Sequence, residues 1–142
     1  MEAEKLIIFH KQIDLIQNCI TRMAQNSFLL KTWTVGLLTI IMAIASKFNI
    51  NGLLVGLIPI VAFWYLDAFF LQTEKMYRKM YDELIQLSPE HSVNLKFYNL
   101  NPLKYKHLVV SRTQVMWSHT LKWFYLSLLS VTVLIFIGSH FC

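Results

Sequence analysis

Between Lys31 and Lys47 the chain reads Thr32-Trp33-Thr34-Val35-Gly36-Leu37-Leu38-Thr39-Ile40-Ile41-Met42-Ala43-Ile44-Ala45-Ser46, fifteen residues without a charge. A helix needs about 20 residues to cross the hydrocarbon core of a bilayer. The run reaches that length by extending to Leu29 and Phe48, with both flanking lysines snorkelling toward water. A second charge-free run goes from Phe48 to Leu66 and ends at Asp67. Its Gly52, Gly56 and Pro59 are tolerated better in membrane helices than in soluble ones. The turn Phe48-Asn49-Ile50-Asn51-Gly52 joins the two as a tight hairpin, with spans over 31–48 and 50–67. A third run, Trp123 to Cys142, has a charge-free core from Phe124 to Gly138 and predicts a C-terminal span over 121–141. The expected fold is therefore an all-α integral membrane protein: a transmembrane helical hairpin with long antiparallel cytoplasmic extensions, plus a third C-terminal transmembrane helix.

Composition agrees with this division. The 142 residues leave room for one domain, and 56% are hydrophobic while only 15% are charged; soluble domains carry about 25% charge. Mean hydropathy is +0.47. The two cysteines, Cys19 and Cys142, form neither a disulfide framework nor a zinc pattern. Glu2, Glu4, Lys5, Lys11, Asp14 and Arg22 interrupt the first thirty residues, so no cleavable signal peptide is expected and insertion falls to the spans themselves.

Basic residues set the orientation. The N-terminal arm holds Lys5, Lys11, Arg22 and Lys31, and the hairpin turn only Lys47. Lys75, Arg78, Lys79, Lys96, Lys104, Lys106, Arg112 and Lys122 follow the second span. The positive-inside rule places the N-terminus and the middle section in the cytoplasm, with the hairpin turn and the C-terminus outside. Orientation and anionic lipid account for the +5 net charge, so no direct nucleic-acid binding is expected. Trp33, Trp64, Tyr65, Trp117, Trp123 and Tyr125 lie near span ends, as interfacial aromatics do.

In the N-terminal arm, residues 1–30, Leu6, Phe9, Ile13, Ile16, Ile20, Met23, Ser27 and Leu30 alternate spacings of 3 and 4, a heptad seam flowing into the first span. Beyond the second span, residues 68–87 carry a second stripe of Phe69, Thr73, Met76, Met80, Leu84 and Leu87, widened by Tyr77 and Tyr81 and stopped by Ser88-Pro89. The two helices are expected to pack on each other. Remaining apolar surface at Ile7, Ile8, Phe70 and Tyr77 is available for subunit contacts. From 88 to 110 prolines and asparagines break the period, indicating a basic, aromatic loop. Its Lys96, Tyr98, Lys104, Tyr105 and Lys106, together with Arg112, are candidate contacts for a ligand, a partner or the lipid surface, the lipid surface being favoured over a nucleotide. Helix is expected to resume near His107–Ser111 and, over 111–142, to feed the third span.

The chain carries no convincing catalytic or metal-binding constellation, and no cofactor is expected. Phosphate-cradling glycine loops, paired cysteines and His-Glu ligand motifs are all missing, and the five histidines lack metal spacing. Arg112 and His119 fit the loose Arg-x4-6-His spacing of HEPN ribonucleases, in which a histidine acts as acid/base beside a phosphate-stabilising arginine. Basic residues are expected at that span end in any case. Asp67 is more informative, because a carboxylate at the end of a span is costly unless paired. Lys31 opens the first span in the same leaflet, so the hairpin predicts a Lys31–Asp67 contact, either locking the hairpin or serving a gate. Small or hydroxylic Thr32, Gly36, Thr39, Ser127 and Ser130 are the candidate pore-lining positions, and they would serve equally for close helix packing. No span carries a central charge, which argues against an ion-coupled transporter.

The stretches Ile20-Thr21-Arg22-Met23-Ala24-Gln25-Asn26-Ser27-Phe28-Leu29-Leu30-Lys31-Thr32-Trp33 and Phe63-Trp64-Tyr65-Leu66-Asp67-Ala68-Phe69-Phe70-Leu71-Gln72-Thr73-Glu74-Lys75-Met76-Tyr77-Arg78-Lys79-Met80-Tyr81 resemble the SLATT proteins. These are SMODS- and SLOG-associating two-transmembrane effectors of bacterial anti-phage systems. The resemblance covers residues 1–87. It implies an N-terminal helix, a membrane hairpin and a cytoplasmic helix, assembled as a homo-oligomeric pore in the bacterial inner membrane and opened when a nucleotide-generating partner signals infection. The third span departs from the two-span plan, and with no nucleotide-sensing domain visible, sensing falls to a separate protein or to the basic loop. The expectation is a non-enzymatic pore or channel effector. The alternative is a non-conducting membrane anchor that docks a soluble partner enzyme.

Overall fold

The computed structural model describes residues 2–48, 52–86 and 99–141. The predicted turn at Asn49-Ile50-Asn51, the helix stop at Leu87-Ser88-Pro89, and Lys96 and Tyr98 lie outside the described residues. The first helix, α1, is a single unbroken rod from Glu2 to Phe48 of 47 residues, about 70 Å at the ordinary helical rise. The heptad arm and the first span are thus one rigid element. The second helix, α2, runs from Gly52 to Gln86 and carries Pro59 inside it. Among the described residues all regular structure is helical.

α1 and α2 pack along each other, and two separate apolar clusters are buried: one between the two helices alone, the other shared with α3 and α4. The cluster between the start of α1 and the end of α2 joins Phe9 and Ile16 of α1 to Met80 and Leu84 of α2, flanked by Ile13, Ile20, Tyr77 and Tyr81. These are the two predicted stripes meeting face to face. The seam is not apolar throughout. Leu6 at its start is 44% exposed, while Ser27 near its end is buried at 8%. On α2, Phe69 is exposed and Gln72 is buried instead, a difference explained below by what Gln72 binds.

The stretch expected as loop over 88–110 contains a 3-10 helix, Pro102–Leu108. Asn101 caps it by accepting a hydrogen bond from the Leu103 N–H at 3.0 Å, with Pro102 supplying a first turn that needs no donor. Leu100 and Tyr105 tuck against the cluster of Phe9, Ile16, Met80 and Leu84. α-Helix resumes at Arg112, just past the expected His107–Ser111. Val109 is extended, and the reciprocal capping box of Ser111 and Gln114 starts a short helix α3, Arg112–Met116. Trp117 and Ser118 then turn the chain before α4, His119–Phe141. The helix expected over 111–142 is therefore two helices.

α1, α2 and α4 are each long and apolar enough to cross a membrane. Within their apolar windows 39% of residues are buried in α2 but only 17% in α1 and α4, so α2 is the central element and the other two flank it. Large apolar side chains such as Ile40, Ile44, Ile58, Leu134 and Ile135 are exposed along the rods, an arrangement that lipid satisfies and water does not. The three helices converge at Gly56, where an added Cβ would stand 3.2 Å from Leu38 Cδ1 and 3.6 Å from Thr132 Cγ2. Gly56→Leu should destabilise the docking of α4 by about 1–3 kcal/mol through overpacking. Disulfide cross-linking between α2 and α4 reads this as a lowered yield. Gly36→Leu, whose site has nothing within 4 Å, should leave that yield unchanged.

Candidate functional site

At the base of the second span Asp67 is completely buried. Lys31 Nζ stands 2.6 Å from Asp67 Oδ2, so the ion pair expected from hairpin geometry is present. Two further partners complete it. The Ser27 hydroxyl donates to Asp67 Oδ1, and the Tyr125 hydroxyl donates to Oδ2 at 3.1 Å. Ser27 in turn accepts from Lys31 Nζ at 2.8 Å. The spacing of four residues puts Ser27 and Lys31 on the same face of α1. Tyr125 also approaches the Phe63 carbonyl at 3.3 Å, but its single proton is worth more to a carboxylate than to a neutral acceptor. Lys31 lies 6.0 Å from the Phe124 ring centroid. One carboxylate therefore joins α1, α2 and α4.

This latch stands in a layer of indoles. Trp33 lies two residues beyond Lys31, Trp64 three before Asp67 and Trp123 two before Tyr125, each within about 5 Å of the latch along its helix axis. Trp64 stacks on Tyr125 with centroids 5.6 Å apart, meets Trp117 edge-on at 5.7 Å, and donates from Nε1 to the Met116 carbonyl at 3.0 Å. Trp33, Trp117 and Trp123 are exposed. Four amphipathic rings at one level are what a membrane–water interface selects.

The remaining predicted positions separate. Thr32, Gly36 and Thr39 share an exposed face of α1, and Ser127 and Ser130 are exposed on α4. They form no passage within one chain. Each hydroxyl bonds a carbonyl of its own helix: Thr32 to Phe28 at 3.3 Å, Thr39 to Val35 at 2.9 Å, Ser127 to Phe124 and Ser130 to Ser127 at 2.8 Å. Lys104 and Lys106 are exposed, and Tyr105 packs against α2 near Glu83. Burial and the Glu83 carboxylate push the Tyr105 phenol up to about 12. Glu83 is sixteen residues beyond Asp67, about 24 Å along α2, so these lysines stand well away from the tryptophan layer. Arg112 parts from them and binds α2 beside the latch, at Tyr65 and Gln72. His119 packs on Trp123 instead, so the ribonuclease-like pair is not assembled.

The pairing of Lys31 with Asp67 is legible in the sequence; the parts played by Ser27, Tyr125 and Gln72 are not. Ser27 did carry a signal, as the one hydroxyl in an apolar seam, one turn from Lys31. Comparison with protein-family models, curated proteins and solved structures finds no match.

Removing one partner of a buried ion pair strands the other charge and costs about 3–5 kcal/mol, whereas replacing both by apolar groups is often near neutral. Asp67→Ala should therefore lower thermal stability in detergent sharply. The double replacement Lys31→Met with Asp67→Leu should regain most of that loss, as measured by temperature-dependent retention of the folded size-exclusion peak.

Proposed function

We propose that the chain is the subunit of an oligomeric membrane pore, an effector of a bacterial defence system that depolarises the inner membrane when a cytoplasmic signal or partner acts on its helical stalk. In this reading the N-terminus is cytoplasmic and the C-terminus outside. The observation that carries it is one face of α1. Asn18, Thr21, Gln25, Phe28, Thr32, Gly36 and Thr39 follow one another at spacings of 3 or 4, and all are exposed. The stripe faces away from α2 and runs polar from the stalk into the span.

Lipid gains little from a mid-span glycine and two threonines, and a glycine in a helix interior costs about 0.5–1 kcal/mol relative to alanine. Against parallel α1 helices of other subunits the same residues allow close approach, and around water their hydroxyls and amides hydrate. Phe28 is 70% exposed and is the single bulky apolar residue of the stripe. In a ring of subunits it forms a hydrophobic constriction that closes by dewetting. It adjoins Ser27, so movement of the latch turns Phe28 as well. The resemblance to SLATT proteins supports the defence context.

The anchor reading draws on a different feature. Leu6, Ile7, Ile85, Leu103 and Leu108 are 44–67% exposed on the stalk and the segment against it, beyond the reach of lipid, and would seat a soluble protein.

Induced expression with a membrane-potential dye separates the two. A pore predicts depolarisation, a larger leak for Phe28→Ser, and loss of both oligomer and leak for Gly36→Leu. An intact potential in all three, with a soluble partner co-purifying, favours the anchor and contradicts the pore.

A further inference from the structure

Arg112 is held more firmly than a surface arginine, and among the described residues no acid neutralises it. Its Nη1 donates to the Tyr65 hydroxyl at 2.6 Å and its Nε reaches Gln72 Oε1 at 3.4 Å. The guanidinium lies over two rings of α2, 5.1 Å from the Tyr65 centroid and 4.9 Å from that of Phe69. Gln72 is only 5% exposed. Its amide is fixed at both ends, accepting from Arg112 and donating to the Val110 carbonyl at 3.1 Å. Two aromatic faces, a phenol and a clamped amide thus set the plane of this cation.

Among the described residues no carboxylate lies within ion-pair distance of Arg112. The two acids flanking it on α2 are committed elsewhere, Asp67 to Lys31 and Glu74 to Arg78 at 2.7 Å. Arginine offers five N–H donors in a rigid fork, and the described residues engage two of them, Nε at Gln72 and Nη1 at Tyr65. The depth is also specific. Tyr65 and Phe69 each lie two residues from Asp67, about 3 Å along the axis, so the free donors stand at the tryptophan layer. From there an apolar track runs into the span on one face of α2: Phe69, Tyr65, Val61 and Ile58, exposed by 39%, 47%, 53% and 72%. An unneutralised fork above a greasy track is complementary to a phosphate carrying acyl chains.

We propose that Arg112 is the headgroup-binding residue of a specific site for an anionic phospholipid. The phosphate takes the free guanidinium donors, and one acyl chain lies along Tyr65, Val61 and Ile58. The site joins α3, α2 and one lipid, and it rests on the membrane reading of the spans but not on pore formation.

Native mass spectrometry of the full chain, released from nanodiscs of phosphatidylglycerol and phosphatidylcholine, tests it. The wild type and Lys122→Gln, which removes another cation near the same layer, should retain phosphatidylglycerol in preference to phosphatidylcholine. Arg112→Gln should retain about tenfold less or lower still, in line with the loss of a charge-assisted pair. Arg112→Lys keeps the charge without the fork and should fall between. Soluble glycerol phosphate should not displace the lipid, since it lacks the chains. Equal retention in Arg112→Gln and wild type, no preference between the two lipids, or full displacement by glycerol phosphate would each overturn the proposal. Should Arg112→Gln unfold, Val61→Asp decides: its track is blocked while the cation remains, so undiminished retention contradicts the site. A lost pore activity has no bearing on any of these readings.

Discussion

A carboxylate cannot be left without partners where water is excluded, and Asp67 has no exposed surface at all. Its ionised form requires a cation and several hydrogen bonds, and the cost of leaving it bare is several kcal/mol. Two helices provide them: Lys31 and Ser27 from α1, Tyr125 from α4. Apolar packing alone would let these rods slide, because lipid tails are as good a neighbour as leucine. The latch fixes the register of α1 against α2 and the depth of α4 beside them, and the helix junction at Trp117–Ser118 follows from that depth.

The latch also sets the division between stalk and span. Because α1 is one continuous helix through this point, displacement of its N-terminal arm reaches the apolar segment without a hinge to absorb it. Lys31, only one-fifth exposed, is the cation of the cluster, and in the membrane reading the aromatic layer around it would lie where water gives way to hydrocarbon. Phe28 is one turn from this point on the free face of the same helix. Stalk, latch and constriction thus form a single mechanical line in the proposed pore.

Much of this was legible in the residues themselves. Charge-free runs identify spans because bilayers forbid most alternatives, and two heptad stripes on helices continuous with a hairpin have little choice but to meet. Lys31 and Asp67 could be paired because each is an isolated charge at the end of adjoining spans. Ser27 and Tyr125 were harder: one occupied a seam position, the other an aromatic-belt position, and each local pattern had a sufficient explanation of its own. The 3-10 segment, the break before α4 and the splitting of Arg112 from the lysines depend on where the chain returns along α2. That path is set by Gln72, Glu83 and Trp64, whose partners lie 22 to 52 residues away and leave no periodic trace.

In the membrane reading of the spans, the Lys31–Asp67 level is the boundary between water and hydrocarbon. Nitroxide labels placed one at a time on exposed positions of α1, with Cys19 and Cys142 replaced, measure that boundary directly in reconstituted vesicles. A water-soluble nickel chelate should quench labels at Asn18 and Gln25, and oxygen should dominate at Ile40 and Ile44, with the crossover within one turn of Lys31. Equal access of the nickel chelate to Asn18, Ile40 and Ile44 would contradict the account.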